Sequence, residues 1–228
     1  GNPMDPDSCE VIGPGDELRH KISEQSAVIP HSSYGAAKAA IDAMVQVRWR
    51  EAKTPCIALR QFNCVGERET HPYVVPEIIS QLAHGPKPAF KLRMRDGVEV
   101  REPVTRADYI PPIKLGNNSY RDFLYAGDAV RMAVELLERG QFGEVYNLGS
   151  ETGIKIYDLA KLTGRLMGFA DVKIEQDQSR VRPWEIWSLL ASNAKIYGVI
   201  DYRPKVSLEE ALKRTIADFQ EHGWCWHA

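Results

Sequence analysis

The chain has 228 residues, 43% of them hydrophobic and 26% charged, with a formal net charge of −2. That is enough apolar material for a sizeable globular core, and it gives no electrostatic reason to expect nucleic acid or an anionic membrane as partner. No apolar run approaches a membrane span, and Cys9, Cys56, Cys64 and Cys225 lack C-x-x-C spacing, so free thiols in the cytoplasm are expected.

Residues 1–31 are rich in Pro, Gly, Asp and Ser and read as loop, more like an internal loop of something longer than the start of a domain. Small and apolar residues at helical spacing, including Ala36, Ala40, Ile41 and Met44, predict a helix over 34–52, stopped by Pro55. The mostly apolar run 56–62 predicts a strand buried in a parallel sheet. Val75-Pro76-Glu77 opens a second helix that ends at Gly85. Residues 86–121 read as irregular, with strand-like pieces around 98–104.

A short strand is predicted over 123–126, and Asp128 is read as the N-cap of a helix ending near Gly140. A strand over 144–148, a helix over 156–167 closed by Gly168 and a strand over 172–175 follow. Ser207 and Glu210 form a capping box for a last helix running to about His222. Strands alternating with helices predict an α/β fold.

Tyr-x-x-x-Lys occurs twice, at Tyr34/Lys38 and at Tyr157/Lys161. The second lies in an ordinary amphipathic pattern, and no chemical role is expected of it. Tyr34 stands at a helix entrance and is followed by Gly-Ala-Ala, which lets a flat ligand approach the backbone. Residues i and i+4 share a helix face. There an ammonium favours the phenolate, and a phenolate can take a proton from a sugar hydroxyl as hydride leaves the same carbon. A surface Tyr–Lys pair on a small-residue helix fits these residues equally well.

Six segments in order carry a resemblance. They are Ser32-Ser-Tyr-Gly-Ala-Ala-Lys38, Leu59-Arg-Gln-Phe-Asn-Cys-Val-Gly66, Val75-Pro-Glu-Ile-Ile79, Arg121-Asp-Phe-Leu-Tyr-Ala-Gly-Asp128, Gly143-Glu-Val-Tyr-Asn-Leu-Gly149, and Arg182-Pro183 with Pro204-Lys-Val-Ser-Leu-Glu-Glu-Ala-Leu212. Together the chain resembles the extended short-chain dehydrogenase/reductase family, specifically the NAD-dependent nucleotide-sugar epimerases and 4,6-dehydratases. The resemblance implies the C-terminal part of a doubly wound Rossmann-type sheet with a small α/β substrate-binding domain. Residues 1–66 would be the remnant of the dinucleotide-binding domain. Residues 67–228 would be mainly substrate-binding, with segments returning to the sheet.

The resemblance also implies roles. Tyr34 would be the catalytic acid/base, and Lys38 would bind the nicotinamide ribose of NAD and tune Tyr34. Asn63 would lie near the phosphates of a nucleotide-diphosphate sugar. Arg121 and Arg182 would clamp its diphosphate, since a guanidinium forks onto paired phosphate oxygens. Val75 and Ile78 belong to a helix whose N-terminus would face the nucleotide.

The departures count as much. No G-x-G-x-x-G turn is present, and after Gly13-Pro14-Gly15 the third position is Leu18. In the family that turn, the Ser/Thr that shares the substrate hydroxyl and the dehydratase Asp-Glu pair all precede the Tyr helix. Epimerase and dehydratase therefore stay undivided. The chain alone is expected to bind NAD weakly or not at all and to be inactive. A non-catalytic nucleotide-sugar-binding or oligomerisation module, and one half of a two-chain enzyme with the cofactor half on a partner chain, are the alternatives. The small-residue stripe Ala36, Ala40, Ala43 leads us to expect a homo-oligomer. The stretch 87–112 is longer than the family usually has.

Overall fold

The computed structural model describes residues 21–70, 73–85, 90–95, 98–103, 105, 109–181 and 185–222. In chain order the elements are α1 (Ser33–Ala52), β1 (Ala58–Gln61), β2 (Asn63–Val65), α2 (Val74–His84), β3 (Phe90–Arg95), β4 (Val98–Pro103), β5 (Pro112–Leu115), β6 (Tyr120–Tyr125) and α3 (Ala126–Arg139). They continue with β7 (Val145–Leu148), β8 (Gly153–Lys155), α4 (Ile156–Leu166), β9 (Lys173–Gln176), β10 (Ser188–Leu189), α5 (Ala194–Tyr197) and α6 (Leu208–His222). The chain divides into two units. One is Gly1–Gly66, Asn118–Lys155 and Arg182–Ala211; the other is Glu67–Asn117, Ile156–Val181 and Leu212–Ala228.

In the first unit, β1 pairs in parallel with β7, placing Arg60 opposite Asn147. β6 pairs in parallel with β2 and β10 and antiparallel with β8. Its core gathers Leu124, Met132, Leu136, Tyr146, Leu148, Ile196 and Ile200 from β6, α3, β7 and the α5 region. Burying such side chains stabilises by roughly 1.5–3 kcal/mol each before the entropy of ordering is subtracted. Asp122 is fully buried, and its carboxylate accepts from the backbone N–H of Ser150, Glu151 and Ala191 and from the Ser150 hydroxyl. It thereby fastens β6 to the loop after β7 and to the β10 segment.

Side chains occupy part of the outer edge of β7. The Asn147 N–H donates to the Glu24 carboxylate at 2.7 Å, and Lys195 donates to the Val145 carbonyl at 2.7 Å. Asn193 accepts from the Gly149 N–H and donates to the Gly149 carbonyl.

In the second unit, Val75, Ile78, Ile79 and Leu82 bury one face of α2, which packs on α4 and β5. β5 pairs in parallel with β9, and the Gln81 amide is tied in both directions to the Lys114 backbone. β3 and β4 form an antiparallel hairpin within the stretch 87–112.

The α/β expectation is borne out, and several details are corrected. Asp128 is not an N-cap. α3 begins at Ala126 with Tyr125 as cap residue, and Asp128 is buried in the first turn. Its carboxylate accepts from the Tyr202 hydroxyl and the Lys205 and Val206 N–H groups instead. The end of α1 at Ala52 is as expected, closed ahead of Pro55 by a left-handed Lys53 with φ 53° whose N–H donates to the Trp49 carbonyl. The stretch read as irregular holds β3, β5 and the start of β6, and 123–125 is the second half of a longer strand, with Ala126 already in α3. Ser207 does cap α6, accepting from the Glu210 N–H at 3.2 Å.

Candidate active site

The helix that carries Tyr34 begins with a local capping bond. The Ser32 hydroxyl accepts from the Gly35 N–H at 3.0 Å, and Ser32 itself is extended. Tyr34 and Lys38 lie on one face, with the Lys38 ammonium 5.4 Å from the Tyr34 ring centroid. Tyr34 is 73% exposed, so both groups are open to a ligand. None of the side chains of α1 is buried. Its apolar residues Ile41 and Met44 and its alanines 36, 40 and 43 stand exposed.

Asn63 and Arg121 come together through the β2–β6 pairing, in which Asn63 is the partner of Phe123. The Asn63 amide donates to the Asp122 carbonyl at 3.1 Å. The Arg121 guanidinium donates to the Tyr120 and Ile186 carbonyls, each at 2.7 Å, and to the Glu185 carboxylate at 2.5 Å. Val75 and Ile78 belong to the second unit and are fully buried. What α2 can offer a ligand there is backbone N–H at its first turn rather than either side chain. Arg182 lies outside the described residues.

Glu185 was missed in the sequence. The only signal for it is its place three residues after Arg182, because nothing local links it to Arg121 sixty-four positions earlier. Tyr157, the second member of a Tyr-x-x-x-Lys, donates its hydroxyl to the Gly116 carbonyl at 3.1 Å. That is a structural tie within the second unit.

A cleft of about 400 Å³ in the first unit is lined by Glu24, Gln46, Trp49, Arg60, Glu144 and Lys195 among others, at the Trp49 end of α1. Neither Tyr34 nor Lys38 lines it. There Arg60 pairs with Asp42 and Lys195 with Glu144, while Arg50 donates to the Gln46 amide oxygen at 3.5 Å. Among the described residues no group of His, Cys, Asp and Glu could hold a metal ion, and no helix is long and apolar enough to cross a membrane.

The NAD dependent epimerase/dehydratase family matches the chain over residues 6–149. The chain belongs to this family. Among curated members it is 28% identical over 216 residues to human dTDP-D-glucose 4,6-dehydratase, covering 92% of this chain and 55% of that one. It is 24% identical over 221 residues to GDP-6-deoxy-D-mannose reductase of Pseudomonas aeruginosa, covering 93% and 64%.

Among solved structures, RMD from Pseudomonas aeruginosa complexed with NADPH superposes with a TM-score of 0.72 at 22% identity, covering 92% of this chain and 63% of that one. DesIV, a dTDP-glucose 4,6-dehydratase from Streptomyces venezuelae with NAD and TYD bound, gives 0.72 at 20% identity, covering 94% and 58%. These likenesses establish the Rossmann-type α/β fold. This epimerase/dehydratase-family chain spans a little over half to somewhat under two thirds of the length of these relatives.

Proposed function

We propose that this chain carries the acid/base and nucleotide-sugar side of an NAD-dependent 4,6-dehydratase or 4-epimerase, acting in the cytoplasm on a nucleotide-diphosphate sugar. The observation that carries the reading is the exposed Tyr34–Lys38 pair on α1 in a chain that belongs to this family.

The residues present fit one end of NAD. Tyr34 and Lys38 offer a phenol and an ammonium on one open helix face, suited to the ribose hydroxyls beside a nicotinamide. The glycine-rich turn that would take the pyrophosphate is not in this sequence, so a segment supplied otherwise would have to hold it. When bound, NAD supplies a hydride acceptor for transient oxidation at sugar C4. Tyr34 takes the proton of the C4 hydroxyl and later returns it. Lys38 stabilises the phenolate through its charge and holds a ribose hydroxyl. Arg121, with Arg182, answers the diphosphate charge, and Asn63 orients beside them on β2.

The test is turnover. The chain, with NAD, is given dTDP-glucose, UDP-glucose or GDP-mannose, and 4-keto or 4-epimeric products are sought by mass spectrometry, with and without the N-terminal half of a relative added in trans. Product that vanishes in Tyr34→Phe supports the reading. Nucleotide-sugar binding without product under either condition supports the second reading, a non-catalytic nucleotide-sugar-binding module.

A further inference from the structure

We propose that Arg60 is the positioning residue that holds the Tyr34 end of α1 in place. The proposal rests on the reading of Tyr34 and Lys38 as the reacting pair. A helix of this length is ordinarily fixed by an apolar face pressed into a core, but α1 buries none of its side chains. Its orientation must therefore come from specific ties.

Arg60 supplies one. From β1, its Nε donates to Asp42 Oδ1 at 3.3 Å and its Nη2 to Asp42 Oδ2 at 2.9 Å, a two-pronged grip on the helix. Its Nη1 donates to the Glu24 carbonyl at 3.1 Å. The Glu24 carboxylate in turn accepts from the N–H of Asn147, which is the register partner of Arg60 across the β1–β7 pair. The Asn147 amide donates to the Ile22 carbonyl at 2.8 Å. One guanidinium thus joins the strand pair, the segment leading into the helix, and the helix itself.

Asp42 lies one turn beyond Lys38 and two beyond Tyr34, so gripping both its oxygens fixes how far α1 is rotated, and with it where the phenol and ammonium point. Among the described residues, the other ties from α1 to neighbouring segments lie further along. The Val45 carbonyl accepts from the Cys56 thiol at 3.4 Å, and Trp49 packs against Gly143 and Phe142. Lysine at position 60 would carry the charge but could not span both carboxylate oxygens while also reaching Glu24.

The experiment compares the chain as it stands with Arg60→Gln, Arg60→Lys, Asp42→Asn and the double variant Arg60→Gln/Asp42→Asn, using amide hydrogen exchange read by mass spectrometry together with thermal melts. Peptides from the first half of α1 should exchange about tenfold faster in Arg60→Gln and in Asp42→Asn, with α3 unchanged. The double variant should be no worse than either single one, and Arg60→Lys should recover part of the protection. Unchanged exchange in α1 overturns the proposal. So does a rise of equal size in α1 and α3, which would make Arg60 a general stabiliser of the unit. These readouts do not depend on turnover, so loss of the catalytic reading would show separately, as nucleotide-sugar conversion that persists in Tyr34→Phe.

Discussion

Glu185 closes on Arg121 at 2.5 Å, with only 9% and 14% of the two side chains exposed. A guanidinium expected to meet a diphosphate already holds a carboxylate and two backbone carbonyls. Removing one member of such a pair leaves the other charge buried and uncompensated. Glu185→Ala should destabilise the chain by about 3 kcal/mol. Glu185→Gln, which keeps an acceptor, should cost about half that. Urea unfolding measures both, and a Glu185→Ala chain as stable as the parent would mean that the pair contributes nothing.

Gly143 has φ +81°, and a Cβ there would stand 2.0 Å from Trp49 Cδ1. Gly143→Ala combines left-handed strain with a clash against a large ring, so about 1–3 kcal/mol should be lost. The Trp49 ring must shift away, so tryptophan emission should move to longer wavelength before the main unfolding transition.

Tyr202 donates to the buried Asp128 carboxylate at 2.6 Å, and this bond, helped by burial, raises its phenol above the usual tyrosine range. The folded state therefore holds that proton more tightly than the unfolded chain does. The contribution is complete below the unfolded tyrosine value of about 10 and is lost as pH rises through the folded value. Tyr202→Phe should be less stable by about 1 kcal/mol at neutral pH. It should also lose less further stability than the parent between about pH 9.5 and 11. Parallel curves of melting temperature against pH would refute the assignment.

The absence of a glycine-rich turn from the sequence predicts weak cofactor affinity. Isothermal titration of this chain with NAD should give a dissociation constant no tighter than about 1 mM. Micromolar binding would require a cofactor site built differently from the family's.

The exposed apolar and small residues of α1 predict self-association through that helix. Ala40→Arg should lower the molar mass measured by light scattering at tens of micromolar or shift the equilibrium towards the monomer. An unchanged mass would move the contact elsewhere.

What could be read from the sequence was what local rules govern. Ser207 announced its helix because capping is a contact between neighbours, and the order of six motifs carried the family. Asp128 misled because its partners, Tyr202, Lys205 and Val206, lie more than seventy residues away and outbid a local cap. The Arg121–Glu185 pair was hidden for the same reason. β8 and β10 span three and two residues, and they are strands only because β6 pairs with them. β3 could have been read. Phe90, Leu92 and Met94 alternate with Lys91, Arg93 and Arg95 in the pattern of a strand.

The side chains on the β7 edge give the β1–β7 pair a direction. Unpaired strand edges invite further strands, and a sheet open on both sides can add copies without end. Here Glu24 and Lys195 occupy the Asn147 N–H and the Val145 carbonyl on one side, and Asn193 holds Gly149 just beyond, whereas across β1 no strand is paired among the described residues. Two such molecules meeting edge to edge through this pair of strands would therefore meet through β1 more readily than through β7.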